Sequence, residues 1–332
     1  MRSYIVRRLL LIIPTLFLVT IIVFLSVRFI PGSVIDLMVA EMRQFPIPAS
    51  GLTTSAEYIK HAVGLDVPLY IQYGRWLGIL PQPDIGFSGL LQGNLGTSLW
   101  ELKPVLPDIM QRLPVSMELG LVAITTALLI ALPIGIYSAV RQDAGLDYIG
   151  RTIAILAISV PSFWLGTMVI VYPSIWWGWV PPMEFVPFIK NPVENLQIII
   201  LPGMILGMVT SGQTMRMTRT MMLEVLRQDY IRTAWAKGLR EWTIIMRHAL
   251  KNALIPVVTM IGMLLPILIG GSVILETIFN LPGIGIYLVK ALNQRDYPVI
   301  SGVNVVLASF VLMINLVIDL TYGWLDPRIS YK

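Results

Sequence analysis

Cysteine is absent from all 332 residues, which excludes disulfides and thiolate metal sites. Histidine is nearly absent, with only His61 and His248. Charge is scarce: 13% of residues are Asp, Glu, Lys or Arg, against about 25% in a soluble globular chain. No GxxxxGK[ST] phosphate loop and no HExxH pair occurs, and no nucleophile and base stand at a spacing that would join them.

What fills the chain is apolar. Hydrophobic residues make up 56% of it and mean hydropathy is +0.76. Runs free of Asp, Glu, Lys, Arg and His cover Leu9–Val27, Leu119–Val140, Thr152–Met183, Asn195–Met215, Asn252–Leu275 and Tyr297–Ile318. About 18 apolar residues suffice for a membrane-crossing helix. The third run is too long for one crossing, so its tail, "YPSIWWGWVPP" from Tyr172 to Pro182, is expected to leave the bilayer. Continuous apolarity, rather than alternation, argues against a barrel. The first run follows Arg2, Arg7 and Arg8, but it exceeds the roughly 7–15 residues of a signal-peptide core and reads as a retained span. The expected fold class is therefore all-α, a polytopic membrane protein with six transmembrane helices and a folded extracytoplasmic segment between the first two.

Lys and Arg set the orientation. Arg2, Arg7, Arg8, Arg141, Arg151, Arg216, Arg219, Arg227, Arg232, Lys237, Arg240, Arg247, Lys251, Arg328 and Lys332 fall on one side, while the opposite short loops hold Lys190, Lys290 and Arg295. Positive charge marks the cytoplasmic side, so both termini are expected in the cytoplasm of a multi-pass cell-membrane protein. The net charge of +5 follows from this topology and does not call for nucleic acid, because the basic residues stand beside span ends. His61 and His248 lie on opposite sides and share no metal.

The organisation expected is a cytoplasmic N-terminus and first span over 1–28, an extracytoplasmic segment over 29–114, a five-helix core over 115–325 and a cytoplasmic tail over 326–332. Within 29–114, Ser55 stands as an N-cap ahead of a helical run. Over Glu276–Asp296, Pro282 and two glycines break the chain before a short amphipathic helix on the membrane face. Polar uncharged residues inside the spans, Ser159, Ser162, Ser211, Gln213 and Asn304 among them, are candidates for a translocation path. Such residues serve helix–helix hydrogen bonding more often than substrate contact.

The most charged stretch, "DYIRTAWAKGLREWTIIMRHALKNALIP" over Asp229–Pro256, reads as two helix-favouring segments, Glu224–Ala236 and Glu241–Ala253, broken at Gly238. Thr233, Ala234 and Ala236 are small enough for another surface to approach, rimmed by Arg232, Lys237 and Arg240. Two readings compete: an interfacial pair held by anionic headgroups, or a docking knob for a cytoplasmic protein.

"RTAWAKG" followed by "RHALKNALIP" resembles the cytoplasmic coupling motif of binding-protein-dependent ABC importer permeases of the dipeptide/oligopeptide class. The likeness continues through "RRLLLIIPTLFLV", "PLYIQYGRWL", "GNLGTSL", "RLPVSMELGL", "SVPSFWLG", "LEVLRQDY", "ETIFNLPGIG", "RDYPVISGV" and "DLTYGWLDPRI" in order. The chain departs from the family pattern at Arg232, where the general motif has Glu, at Trp235, where the class carries Arg, at "PGSV" over 31–34, at Asn94, and in a local insertion over 82–93.

The resemblance implies an ATP-driven importer permease that forms its path with a second, homologous permease. Two ATPase subunits would bind ATP and Mg, and an extracytoplasmic solute-binding protein would deliver the solute. The uncharged stretches Phe29–Val34 and Thr277–Val289, stiffened by Pro31 and Pro282, mark 29–114 and 276–296 as its expected docking surface. This chain itself would hold no cofactor and no metal, would be no enzyme, and would touch lipid but not nucleic acid. The loop 218–252 would couple to the ATPases through Arg232, Thr233, Ala234, Trp235, Lys237 and Gly238. Di- or oligopeptides are the expected solutes, with oligosaccharides or nickel as alternatives. A channel or secondary transporter is the reading from another class. It is disfavoured because the spans carry no central charges and no repeat relates the two halves.

Overall fold

A computed structural model describes residues 2–29, 66–82, 85–182, 184–271 and 273–325. The Ser55 cap, the "PGSV" segment, His61 and the tail over 326–332 lie outside the described residues. The helices are α1 (Arg2–Arg28), α2 (Leu69–Leu77), α3 (Val105–Val140), α4 (Gly145–Ser159), α5 (Ser162–Trp177), α6 (Pro192–Leu226), α7 (Asp229–Ala236), α8 (Glu241–Thr243), α9 (Leu250–Gly271), α10 (Val273–Ile278), α11 (Ile284–Gln294) and α12 (Tyr297–Leu325). Among the described residues, two isolated bridges are the only β pairing.

Leu10–Arg28, Val105–Val140, Pro192–Leu226, Glu241–Pro266 and Tyr297–Thr321 are each long and apolar enough to cross a membrane. The pair α4 and α5, bent by 92°, adds a sixth if it is taken as one span. Within the third apolar run the chain breaks at Val160–Pro161 and then stays helical to Trp177. Pro161 supplies the reason, since proline pushes the residue before it into extended backbone, and Val160 has φ −88°, ψ 120°. Trp176 and Trp177 then sit exposed on the last turn of α5. The fourth span also runs further than its apolar core, from an Asn191 cap whose side chain accepts from Val193 and Glu194 N–H, with Pro192 at the first helical position.

The chain forms two compact units. The first draws on Met1–Arg8, Leu113–Ile286 and Val311–Lys332. One of its cores gathers Val115, Leu119, Ile198, Ile199, Ile205, Leu275, Phe279 and Leu281. Gly203 and Gly207, four apart on α6, bring that helix against α3: a Cβ on Gly207 would stand 2.5 Å from the Ala123 carbonyl oxygen. This is the small-xxx-small contact by which membrane helices approach closely.

Glu276 organises the turn after α10. It is fully buried. Ser116 Oγ donates to its Oε1 at 2.7 Å and accepts from Ile284 N–H at 2.9 Å. Ile286 N–H donates to Oε2 at 2.9 Å. The first N–H groups of α11, unpartnered within the helix, are thus capped by side chains from α3 and α10. We predict that Glu276→Ala lowers the thermal stability of the purified protein by about 1–3 kcal/mol for each donor left buried and unpaired. Glu276→Gln, which keeps an acceptor, should lose less. An alanine variant as stable as its parent would count against the cap.

The second unit contains Leu9–Arg112 and Tyr287–Phe310. The segment before α3 is pinned to α11 and to the start of α12. Ser98 Oγ donates to Asp296 Oδ2 at 2.5 Å, Trp100 Nε1 donates to the Gln294 carbonyl at 2.8 Å, and Lys290 Nζ donates to Glu101 Oε1 at 2.7 Å. The Lys290 ammonium holds the Glu101 carboxyl below its ordinary range. A carboxyl with a depressed folded pKa adds stability above its unfolded pKa and loses it as pH falls through the folded value. The gap in melting temperature between the parent and Lys290→Gln should therefore be present at neutral pH and close in acid. It should be small, because an exposed pair contributes about 0–1 kcal/mol. A gap that does not change with pH would contradict the pairing.

Candidate functional site

The charged stretch folds as a compact elbow between α6 and α9, within the first unit. Helix α6 ends at Leu226, and α7 starts after Gln228 with Asp229 in its first turn, where a carboxylate suits the helix dipole. The single segment expected over Glu224–Ala236 is therefore two helices, broken at Arg227–Gln228. Helix α7 stops as expected at Gly238, which has φ +73°. Gly238 N–H donates to Trp235 O at 2.9 Å and Leu239 N–H to Ala234 O at 3.4 Å, the hydrogen-bond pair of a Schellman cap. The chain re-enters helix at Glu241, and Ile244–Ala249 forms a π turn before α9. Such turns carry wider spacing inside a helix and occur often at functional sites.

Ile231 and Ala234, three apart on α7, face inward. They pack with Met222 of α6, Ala139 of α3, Ile244, Ile245 and Ala249 of the π turn, and Ala253 of α9. Ala234 is 7% exposed. This corrects its expected place on the surface offered to another protein: its smallness admits α7 to the chain's own core. The outward face holds Tyr230, Arg232, Thr233, Trp235, Lys237 and Gly238, all exposed. Two polar ties fix the elbow. Arg141 Nη2 meets Glu241 Oε2 at 3.0 Å, and Asn252 Nδ2 donates to the Tyr230 hydroxyl at 2.8 Å. Arg232 lies 3.7 Å from Asp229, with both side chains well exposed. The free side of the elbow is thus aromatic and cationic, while the inner side is locked.

A buried ion cluster stands beside it. Asp147, in the first turn of α4, is fully buried. Arg219 of α6 donates through Nε to Oδ1 at 3.2 Å and through Nη2 to Oδ2 at 3.1 Å. Arg151 Nη2 lies 3.1 Å from Oδ2, and Asp143 N–H donates to the same oxygen at 3.1 Å. Sequence reading missed this cluster. The only local signal is the i, i+4 pair Asp147 and Arg151, and its main partner is 72 residues away.

The candidate path residues are spread over four helices and both units. Ser159 closes α4 and Ser162 opens α5, on either side of the bend. Ser211 is buried on α6, Gln213 is exposed on the same helix, and Asn304 belongs to the second unit. Ser159 Oγ, Ser211 Oγ and Asn304 Nδ2 donate to the carbonyls of Ile155, Met208 and Ile300 on their own helices, at 2.8, 2.6 and 2.8 Å.

Comparison with known proteins places this architecture. Residues 131–331 match the family described as binding-protein-dependent transport system inner membrane component, and residues 1–120 match its N-terminal companion. The chain is 38% identical over 333 residues to the oligopeptide transport system permease protein AppB of Bacillus subtilis, covering all of both chains. It is 35% identical over 356 residues to the dipeptide transport system permease protein DppB of Escherichia coli, again covering all of both. Among solved structures, a chain of the inward-facing MetNI methionine ABC transporter matches with a TM-score of 0.52 and 18% identity. That match covers 67% of this chain and 97% of the other, a likeness of fold. The chain belongs to the binding-protein-dependent transport system inner membrane component family and is a membrane-embedded permease of an ABC importer.

Proposed function

We propose that this permease passes di- or oligopeptides into the cytoplasm through a path it forms with a second, homologous permease. In this reading two ATPase subunits work below it and a soluble solute-binding protein delivers the peptide above. The observation that carries the substrate is the end-to-end match, at 35–38% identity, to chains named for dipeptide and oligopeptide transport. The apolar, uncharged character of the span interiors suits solutes with variable side chains, handled through their backbone.

The elbow over 227–253 is the coupling element in this reading. A motor moves a two-state element only through contacts that differ between states, so the coupling surface has to be both exposed and rigidly tied to the spans. Tyr230, Arg232, Thr233, Trp235 and Lys237 meet the first condition. The inner cluster around Met222, Ile231 and Ile244 meets the second. Both termini and this elbow face the cytoplasm, and the segments 29–114 and 276–296 lie on the opposite side, where they supply the docking surface for the solute-binding protein.

The test is uptake by proteoliposomes that hold the complete complex with its binding protein. ATP-dependent accumulation of a labelled peptide, displaced by other di- and oligopeptides but not by oligosaccharide or nickel ion, is the expected result. Accumulation of sugar or nickel in preference to peptide would replace the substrate assignment. Accumulation driven by an ion gradient without ATP would overturn the importer reading.

A further inference from the structure

We propose that α2 and the described part of the turn after it, residues 69–82 and 85–91, form a collar embedded in the outer leaflet of the membrane, in contact with lipid rather than with water or protein. The inference rests on the orientation above only for the word outer; its depth follows from packing inside the second unit. Helix α1 spans as Leu10–Arg28 and rises about 1.5 Å per residue, so Phe24 lies about 6 Å and Thr20 about 12 Å along it from Arg28. Helix α2 packs against those two turns. The Tyr73 hydroxyl is 2.9 Å from Thr20 Oγ1, and the Tyr73 and Trp76 rings lie 5.3 and 5.8 Å from the Phe24 ring. Helix α2 therefore sits at the level of the last turns of a membrane span, the depth at which Tyr and Trp concentrate.

The outward side chains suit that depth. Tyr70, Ile79, Phe87 and Leu91 are 72%, 56%, 62% and 67% exposed. Over residues 67–92 the sequence carries two charged residues, Arg75 and Asp84, of which Asp84 lies outside the described residues. The same apolar exposure continues down α1 at Ile22, Leu18 and Phe17, the lipid side of the span. Part of the turn's backbone is paired from within. Gln82 Nε2 donates to the Ser88 carbonyl at 2.6 Å, Gln92 Nε2 donates to the Gly78 carbonyl at 3.2 Å, and Gln82 and Gly86 exchange N–H···O bonds. A loop that turns apolar side chains outward and pairs its own polar groups is what a surface without water requires. The solute-binding protein is left the polar remainder of the segment, around Asn94.

Because the chain has no cysteine, single spin labels can be placed one at a time at Ile79, Phe87, Ile22 and Asn94 in the complete complex in lipid nanodiscs. Labels at Ile79 and Phe87 should show the high oxygen and low nickel-chelate accessibility of Ile22, and Asn94 the reverse, with or without the binding protein. Nickel-chelate access at Ile79 and Phe87 matching that at Asn94 would overturn the collar in favour of a water-facing loop. Shielding of those two sites that appears only when the binding protein is added would overturn it in favour of a protein interface. Thiol labelling of Asn94→Cys by an impermeant reagent from the cytoplasmic face alone would instead overturn the orientation and leave the depth result standing.

Discussion

Ala234→Trp is expected to abolish substrate-stimulated ATP hydrolysis by the assembled transporter while the permease still inserts into the membrane. Ala234 packs against Met222, Ile231, Ile244 and Ala249, where an indole has no room. Overfilling a dense core costs about 1–3 kcal/mol. Helix α7 is short enough, eight residues, to relieve that strain by lifting off α6 and α9, which misplaces the whole outward face at once. Gly238→Val reaches the same end by another route. A Cβ there meets no atom within 4 Å, so the lesion is the left-handed backbone, which costs a non-glycine residue roughly 1–2 kcal/mol. Trp235→Ala leaves the inner packing alone and removes only outward area, and it should weaken stimulation less. Normal stimulation in both the Ala234→Trp and Gly238→Val variants, with ATPase subunits still co-purifying, would reduce the elbow to a membrane-surface connector.

Asp147→Ala should cost the most stability of any single change considered. The carboxylate is fully buried and faces Arg219 and Arg151, whose side chains are 22% and 36% exposed. Removing one partner of a buried ion pair destabilises by about 3–5 kcal/mol, because the opposite charge is left uncompensated. Arg219→Met alone should be costly for the mirror-image reason. The pair Asp147→Leu with Arg219→Met should recover part of the loss, since two apolar groups replace two charges that need each other. Thermal unfolding of the three variants in one detergent measures this. An Asp147→Ala protein within about 1 kcal/mol of its parent, the typical value of a surface pair, would show that the cluster bears little load.

The spans were legible because a hydrocarbon slab tolerates few charges, and the gaps between Arg and Lys mark its edges. The bend inside the third run was readable too, at Val160–Pro161, but run length drew attention to the aromatic tail instead. The break at Gly238 could be read because a left-handed cap strongly favours glycine. The break at Arg227–Gln228 carries no such mark and depends on how Ile231 and Ala234 find Met222. Which side of α7 Ala234 occupies followed from the same tertiary contact, and smallness alone suggested the wrong side. Asp147 and Arg219 were visible as charges near span ends, yet their pairing depends on the packing of α4 along α6. That packing is permitted by Gly212, where a Cβ would stand 2.6 Å from the Ala154 carbonyl oxygen.

Whether the elbow meets a motor or a lipid surface is decided most directly by crosslinking from a photoreactive residue at Trp235, which is 48% exposed on the outward face of α7. With the complete complex in its membrane, irradiation should yield an adduct joining this chain to an ATPase subunit, with a yield that changes between the nucleotide-free and ATP-bound states. Adducts with lipid alone, from a complex that still hydrolyses ATP in response to substrate, would contradict the coupling role and return the elbow to the membrane surface.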